Sequence, residues 1–355
     1  MQNWLLELLR CPKTGQRLEV CEARVTDDNY LIEGTLRTKQ DGSVFYQVSA
    51  GVPNLMEPAT SGSVTQTLDI FGTEWRDFAN WGWIDDPGSS RESALTVESG
   101  LSTDSNRSFL AKTGHSSLGT DHPDLGKLVV DCGCGNGRFS REASKYANRV
   151  VAIDASVAAE VAFDNMRRAG ITNVGVVRGS VLEMPLPDNC ADYAFSIGVL
   201  QHTGNAPQMI SEMTRIVPDG HRISINCYGQ GRRSYEAVDR FIRGYTTKLS
   251  QDAKLKFSKR LAWIDRKLLL GPKLVRSLEK RLRRIMVLRP TVVQMYDWYA
   301  PKIAEHYAPE DLHALFEQNN LSVIAATHPI TDPNYDDRRR KRNAEAYSFL
   351  LKKGG

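Results

Sequence analysis

The sequence predicts an α/β fold around a parallel sheet, on three observations. Between Leu125 and Tyr228 short apolar runs alternate with amphipathic stretches, the order expected of successive βαβ units. Leu128-Val129-Val130 leads into Asp131-Cys132-Gly133-Cys134-Gly135-Asn136-Gly137, and then into Phe139, Ala143 and Tyr146, so a buried strand should run through a glycine turn into a helix. A second apolar run, Arg149 to Ile153, ends on Asp154. Such sheets bind ligands beyond the carboxyl ends of their strands, where both acids stand.

The turn carries the chemistry. Glycines let backbone approach a ligand closely and adopt positive φ, and the helix that follows starts with unpaired N–H groups. A dinucleotide fold would read G-x-G-x-x-G. Here the third glycine comes one residue early, and Asp131 stands before the turn, where a carboxylate repels phosphate but attracts an ammonium or ribose hydroxyls.

That pattern resembles motif I of the class I S-adenosylmethionine (SAM) methyltransferases, of the type 11-like kind, and three further segments match in order. Arg149 to Asp154 is similar to the strand whose acid bonds both ribose hydroxyls. Gly179-Ser180-Val181, after a strand at Val174 to Val177, matches the segment that holds the adenine edge. Asp192 to Thr203 looks like the fourth strand and the loop beneath the cofactor. Where the family usually has an acid after the adenine-side glycine, this chain has Ser180, whose hydroxyl can still bond an exocyclic amine. The resemblance implies a seven-stranded Rossmann-like methyltransferase sheet, SAM as cofactor, and Asp131, Gly133, Cys134, Gly135, Gly137, Asp154, Ala155, Ser180, Val181 and Ile197 as its site. Strand five is then Arg222 to Cys227, strand six Ser322 to Ala326 after a helix Pro309 to Gln318, and strand seven Ala346 to Leu351. The core comprises residues 125–228 and 308–355.

Residues 1–58 read as an independent, β-rich domain. Its order of segments resembles the zinc-ribbon-like domain found with some methyltransferases, in degenerate form, because Thr14 replaces the second cysteine of the first pair and the later pair is missing. Cys11 and Cys21 cannot alone close a tetrahedral site, so no metal is expected. Residues 59–124 form a linker and a segment covering the cofactor. Phe71, Trp75, Phe78, Trp81 and Trp83 crowd there, and the similar Phe-Gly-x-x-Trp stretch of related enzymes implies that Trp75 or Arg76 touches the methionine end or the substrate; packing on the core is the other reading. A short helix is expected around Ser108 to Lys112. Residues 229–307 form an inserted helical cap, since Leu255, Leu261, Ile264 and Leu268, then Leu274, Leu278, Leu282 and Ile285, recur at helical spacing. In the family such caps roof the substrate pocket.

Methyl transfer from a sulfonium is an in-line displacement in which the protein positions the nucleophile and excludes water. A base assists a hydroxyl acceptor. His202 is the leading candidate, with Asp297 and Tyr299 behind it and Tyr228 and His306 weaker; tying down the loop is the alternative role for His202. A small or conjugated metabolite, methylated on oxygen or else nitrogen, is the expected acceptor, since no Asn/Asp-Pro-Pro-Tyr/Phe motif and no Pro-Cys nucleophile is present. Methylation of rRNA or tRNA is the alternative, and a non-catalytic SAM-fold binding or activator protein is a third reading. From Gly229 onward 26 Lys and Arg face 14 Asp and Glu, so this half, including Arg338 to Arg342, could meet an acidic partner or be a solvated face. Met1 to Arg10 lacks a secretory signal pattern, no run is long enough to span a membrane, and six cysteines show no disulfide framework, which together suggest the cytoplasm. The oligomeric state is open.

Overall fold

A computed structural model describes residues 1–25, 30–56, 62–83, 105–115, 124–326 and 346–354. Four parallel strands follow one another, β5 (Leu128–Cys132), β6 (Arg149–Asp154), β7 (Val174–Arg178) and β8 (Tyr193–Ile197), with a helix after each of the first two and irregular backbone, residues 179–192, before the fourth. β5 lies between β6 and β8, β6 between β5 and β7, and β9 (Arg222–Tyr228) extends the parallel set beside β8. Their run of apolar residues is explained by burial on both faces. Val130, Cys132, Val151 and Ile153 point to one core, with α6 (Ala206–Ile216) and α11 (Pro309–Gln318) on it. Val129, Val150 and Ala152 point to the other, covered by α4 (Arg138–Ala143) and α5 (Ala158–Arg168). Each fully buried Val or Ile stabilises the stack by about 1.5–3 kcal/mol. β11 (Ala346–Lys353) runs antiparallel between β9 and β10 (Leu321–Ala326).

The sheet does not stop at seven strands. Preceding it are α1 (Asn3–Leu8) and an antiparallel meander of β1 (Leu18–Val25), β2 (Leu31–Thr38), β3 (Phe45–Ser49) and β4 (Val52–Asn54). β4 lies parallel to β7, with Asn54 opposite Arg178, and the Leu55 amide donates to the Arg178 carbonyl at 2.7 Å. Among the described residues one eleven-stranded sheet results, in the order β1-β2-β3-β4-β7-β6-β5-β8-β9-β11-β10. The expectation of an independent N-terminal domain is therefore corrected. Leu5 and Trp4 pack against Gly175 so closely that a Cβ there would lie 3.0 and 2.9 Å from them, and Gln2 donates to the Val174 carbonyl at 2.7 Å. Cys11 is buried with its Sγ 3.2 Å from the Tyr46 hydroxyl, whereas Cys21 is exposed on β1.

α2 (Gly62–Asp77) and α3 (Ser105–Lys112) precede β5; most of residues 85–121, and the basic run 338–342, lie outside the described residues. Between β9 and β10 come α7 (Arg233–Thr246), α8 (Gln251–Leu269), α9 (Lys273–Leu282) and α10 (Val292–Tyr299). α10 is buried along most of its length, with α8 packed on it. The apolar stripe of α9 faces outward instead of inward: Leu274 is 84% exposed, Leu278 50% and, just beyond the helix, Ile285 42%. Among the described residues no helix is long and apolar enough to cross a membrane.

Candidate active site

Strand order reverses direction on either side of β5, and the chain ends of β5, β6 and β8 open there into a cavity of about 340 Å³. Gly133 has φ +93°, and a Cβ on it would lie 2.3 Å from the Val199 side chain; Gly135 has φ +54° and lies under the Trp75 indole, 3.0 Å from where its Cβ would be. Only glycine meets both demands. Asp154 fastens the turn from the next strand. Its Oδ2 accepts from the Gly135 amide at 2.9 Å, and its Oδ1 accepts from the Ser156 amide at 2.9 Å and hydroxyl at 2.7 Å. Burial raises its pKa, and these donors oppose the rise. Cys134, Ala155, Ser180, Val181 and Ile197 complete this end of the cavity.

The other end comes from α2, α3, α4, β9 and α10. His202, in the 3₁₀ turn after β8, has Nδ1 2.7 Å from the Ile303 carbonyl. A carbonyl only accepts, so Nδ1 carries the proton in the neutral ring and Nε2 presents a lone pair. That Nε2 is buried with no hydrogen-bond partner among the described residues, and burial lowers the ring's pKa to about 4. Phe71 and Tyr228 hold the ring edge-on at 4.9 and 5.5 Å. Tyr228 donates to Asp297 Oδ2 at 2.8 Å and stacks on Trp298.

Three charged groups here escaped the sequence reading. Glu74 is 1% exposed and neither carboxylate oxygen has a hydrogen-bond partner among the described residues; burial, with Asp297 nearby, holds it well above the usual carboxylate range. The Arg138 guanidinium lies 3.9 Å over the Trp81 ring and 4.4 Å over Phe139, and burial lowers its pKa to about 10. Burial, aided by Arg138, brings the Lys112 ammonium down to about 8. A signal for Glu74 exists in hindsight: it is an acid on a helix between Phe71 and Trp75, both of which line the cavity. Lys112 and Arg138 carry no such signal.

Of the expected site residues, Gly133, Cys134, Gly135, Asp154, Ala155, Ser180, Val181, Ile197, Trp75, His202 and Asp297 line this one cavity, as does Tyr228. Others do not. Asp131 is not among the cavity-lining residues; it is buried, and its Oδ2 accepts from the Ser140 hydroxyl at 2.6 Å. Gly137 packs against Ala162 and Met166. Tyr299 is corrected from a catalytic to a structural residue: its hydroxyl donates to the Val287 carbonyl and accepts from the Val287 amide, each at 3.1 Å, and it is 1% exposed. His306 pairs with Glu236 at 2.7 Å. Of the insert, only Arg289 and residues of α10 reach the cavity wall, so α8 and α9 do not roof it. Among the described residues no group of three or more His, Cys, Asp or Glu is placed to hold a metal ion.

Residues 130–225 match the family model of a methyltransferase domain. That domain's methyl donor is SAM, and the match starts in β5 and ends in β9, the span that builds the glycine-turn end of the cavity. Among curated relatives, the malonyl-[acyl-carrier protein] O-methyltransferase of Yersinia pestis is 28% identical over 130 residues, 37% of this chain and 47% of that one. The probable tocopherol O-methyltransferase, chloroplastic, of Oryza sativa subsp. japonica is 36% identical over 102 residues, 28% of each chain. The chain spans about half the length of the first of these curated relatives. Among solved structures, phosphoethanolamine N-methyltransferase 2 of Haemonchus contortus, in complex with SAM, superposes with a TM-score of 0.48 at 15% identity, covering 88% of this chain and 63% of that one.

Proposed function

We propose that the protein is a SAM-dependent methyltransferase that methylates a small or conjugated metabolite on oxygen. The observation that supports this most is the union, in one cavity, of the Asp154-fastened glycine turn with an unpartnered imidazole Nε2 on His202. The residues fit the cofactor. Backbone without Cβ atoms lies along the turn, Asp154 faces the cavity as a ribose acceptor, and Val181 and Ile197 offer apolar walls for a purine. A methionine zwitterion needs cations for its carboxylate and an acceptor for its ammonium; Arg138 and Lys112 line the cavity as the first, and Glu74, whose carboxyl oxygens have no hydrogen-bond partner among the described residues, as the second.

When bound, SAM supplies an activated methyl group with its own leaving group. Trp75, Trp81 and Phe71 exclude water from the turn side. His202 Nε2 takes the proton of an acceptor hydroxyl, its ring fixed by the Ile303 carbonyl, and Asp297 with Tyr228 orients the acceptor. Methylation of a nitrogen would use the same groups without the base.

Calorimetry of SAM binding to Asp154→Ala, run beside transfer of a labelled methyl group into the small-molecule fraction of a cell extract, tests the reading. Affinity should fall by about 2–4 kcal/mol, and transfer with it. Unchanged affinity overturns the cofactor assignment; label moving into a nuclease-sensitive fraction overturns the metabolite.

A further inference from the structure

We propose that the outer face of the α8–α9 hairpin is a docking surface for an anionic lipid bilayer. The surface stands apart from the cavity, none of whose lining residues lies on α8 or α9, so it does not depend on the methyl-transfer reading.

The hairpin turns at Gly271-Pro272, and large apolar side chains stand exposed on both sides of that tip: Leu270 at 66% and Leu274 at 84%. Along α8 the outer row continues with Trp263 at 57% and Ile264 at 38%; along α9 and just past it, with Leu278 and Ile285. Cations flank these rows. Lys256, Lys259, Arg260 and Lys267 are exposed on α8, and Lys273, Arg276, Lys280, Arg281 and Arg284 on and after α9. Residues 251–285 hold twelve Lys and Arg against three Asp and Glu. Two of those three acids point inward: Asp265 is fully buried and Glu279 4% exposed, and both are held by Arg283. Sequestering the acids leaves the outer face almost purely cationic.

An exposed apolar row flanked by Lys and Arg on a strongly amphipathic, weakly hydrophobic helix is what an interfacial membrane segment requires. The apolar side chains enter the acyl boundary while the cations meet anionic headgroups. Charge decides against the other occupants. A second copy would bring two surfaces of the same strong charge together, and a nucleic acid would leave Leu270, Leu274 and Trp263 uncovered.

Co-sedimentation of the full chain with vesicles of phosphatidylcholine alone, or mixed with phosphatidylglycerol, tests this. Binding is expected to the mixed vesicles only and to weaken as salt rises. Leu270→Asp/Leu274→Asp should lose it by at least ~tenfold, as should Lys273→Gln/Arg276→Gln/Lys280→Gln. The helices are exposed at these positions, so circular dichroism and SAM affinity should stay unchanged in both variants. Equal binding to neutral vesicles, no binding to either, or full binding by the double leucine variant overturns the proposal. So does a stable dimer that the leucine variant dissolves, or retention of a structured RNA that only the charge variant weakens.

Discussion

Asp131 shows how far a residue's role depends on where its carboxylate points. Burial, reinforced by Asp154, lifts its pKa from 3.8 to about 7 against the opposing bond from Ser140. Between those values the folded chain keeps a proton that the unfolded chain has released, so the group favours the fold at low pH and costs stability as pH rises toward 7 and beyond. Asp131→Asn keeps an acceptor for Ser140 and removes the titration. Its thermal midpoint should equal the parent's near pH 4 and exceed it at pH 8, by on the order of 2–4 kcal/mol of unfolding free energy; a constant difference across that range would contradict the buried acid. Asp154, by contrast, was legible, because a glycine turn and an acid ending the next strand are local patterns with few other uses. Glu74, Lys112 and Arg138 reach the cavity from three separate helices, and no local pattern announces such convergence. Tyr299 was misread because proximity in sequence to Asp297 says nothing of direction: on α10 one side chain faces the cavity and the other the Val287 backbone.

Among the elements, the insert teaches the same lesson about periodicity. Apolar spacing of three and four residues shows that α8 and α9 are helices, yet it does not say which way the stripe turns. The inward face of α9 is instead marked by Glu279, which a hydrophobic pattern cannot find. α7 is anchored to α10 by polar groups as well as by packing: buried Arg243 donates to the Trp298 and Pro301 carbonyls, and Thr246 donates to the Tyr299 carbonyl at 2.7 Å. These carbonyls close the carboxyl end of the helix that carries Asp297. Arg243→Ala removes the donor to the Trp298 and Pro301 carbonyls and should lower stability by about 2–4 kcal/mol in urea unfolding. Binding of SAM, corrected for folded fraction, should persist, since Arg243 lies outside the cavity wall. This point change is a cleaner probe of the insert than its deletion, which would strip α10 of its packing.

For the whole molecule, the α/β class and the parallel strands follow from alternation along the chain, whereas the join between β4 and β7 is a pairing of edges with no sequence signature. Removing residues 1–56 should accordingly give a protein that aggregates or melts without cooperativity, because Leu5, Leu9, Leu36 and Val48 belong to the same apolar core as Val151 and Val177. An unchanged melting transition of the remainder would instead restore the separate domain. The same join has a consequence during synthesis on the ribosome. Asn54 and Arg178 are 124 positions apart, so at about 5–20 residues per second the meander waits roughly 6–25 s for the strand it must pair with. Throughout that interval its open edge can recruit another nascent chain, and a translational pause before Val174 would lengthen the exposure and lower the yield of correctly folded protein.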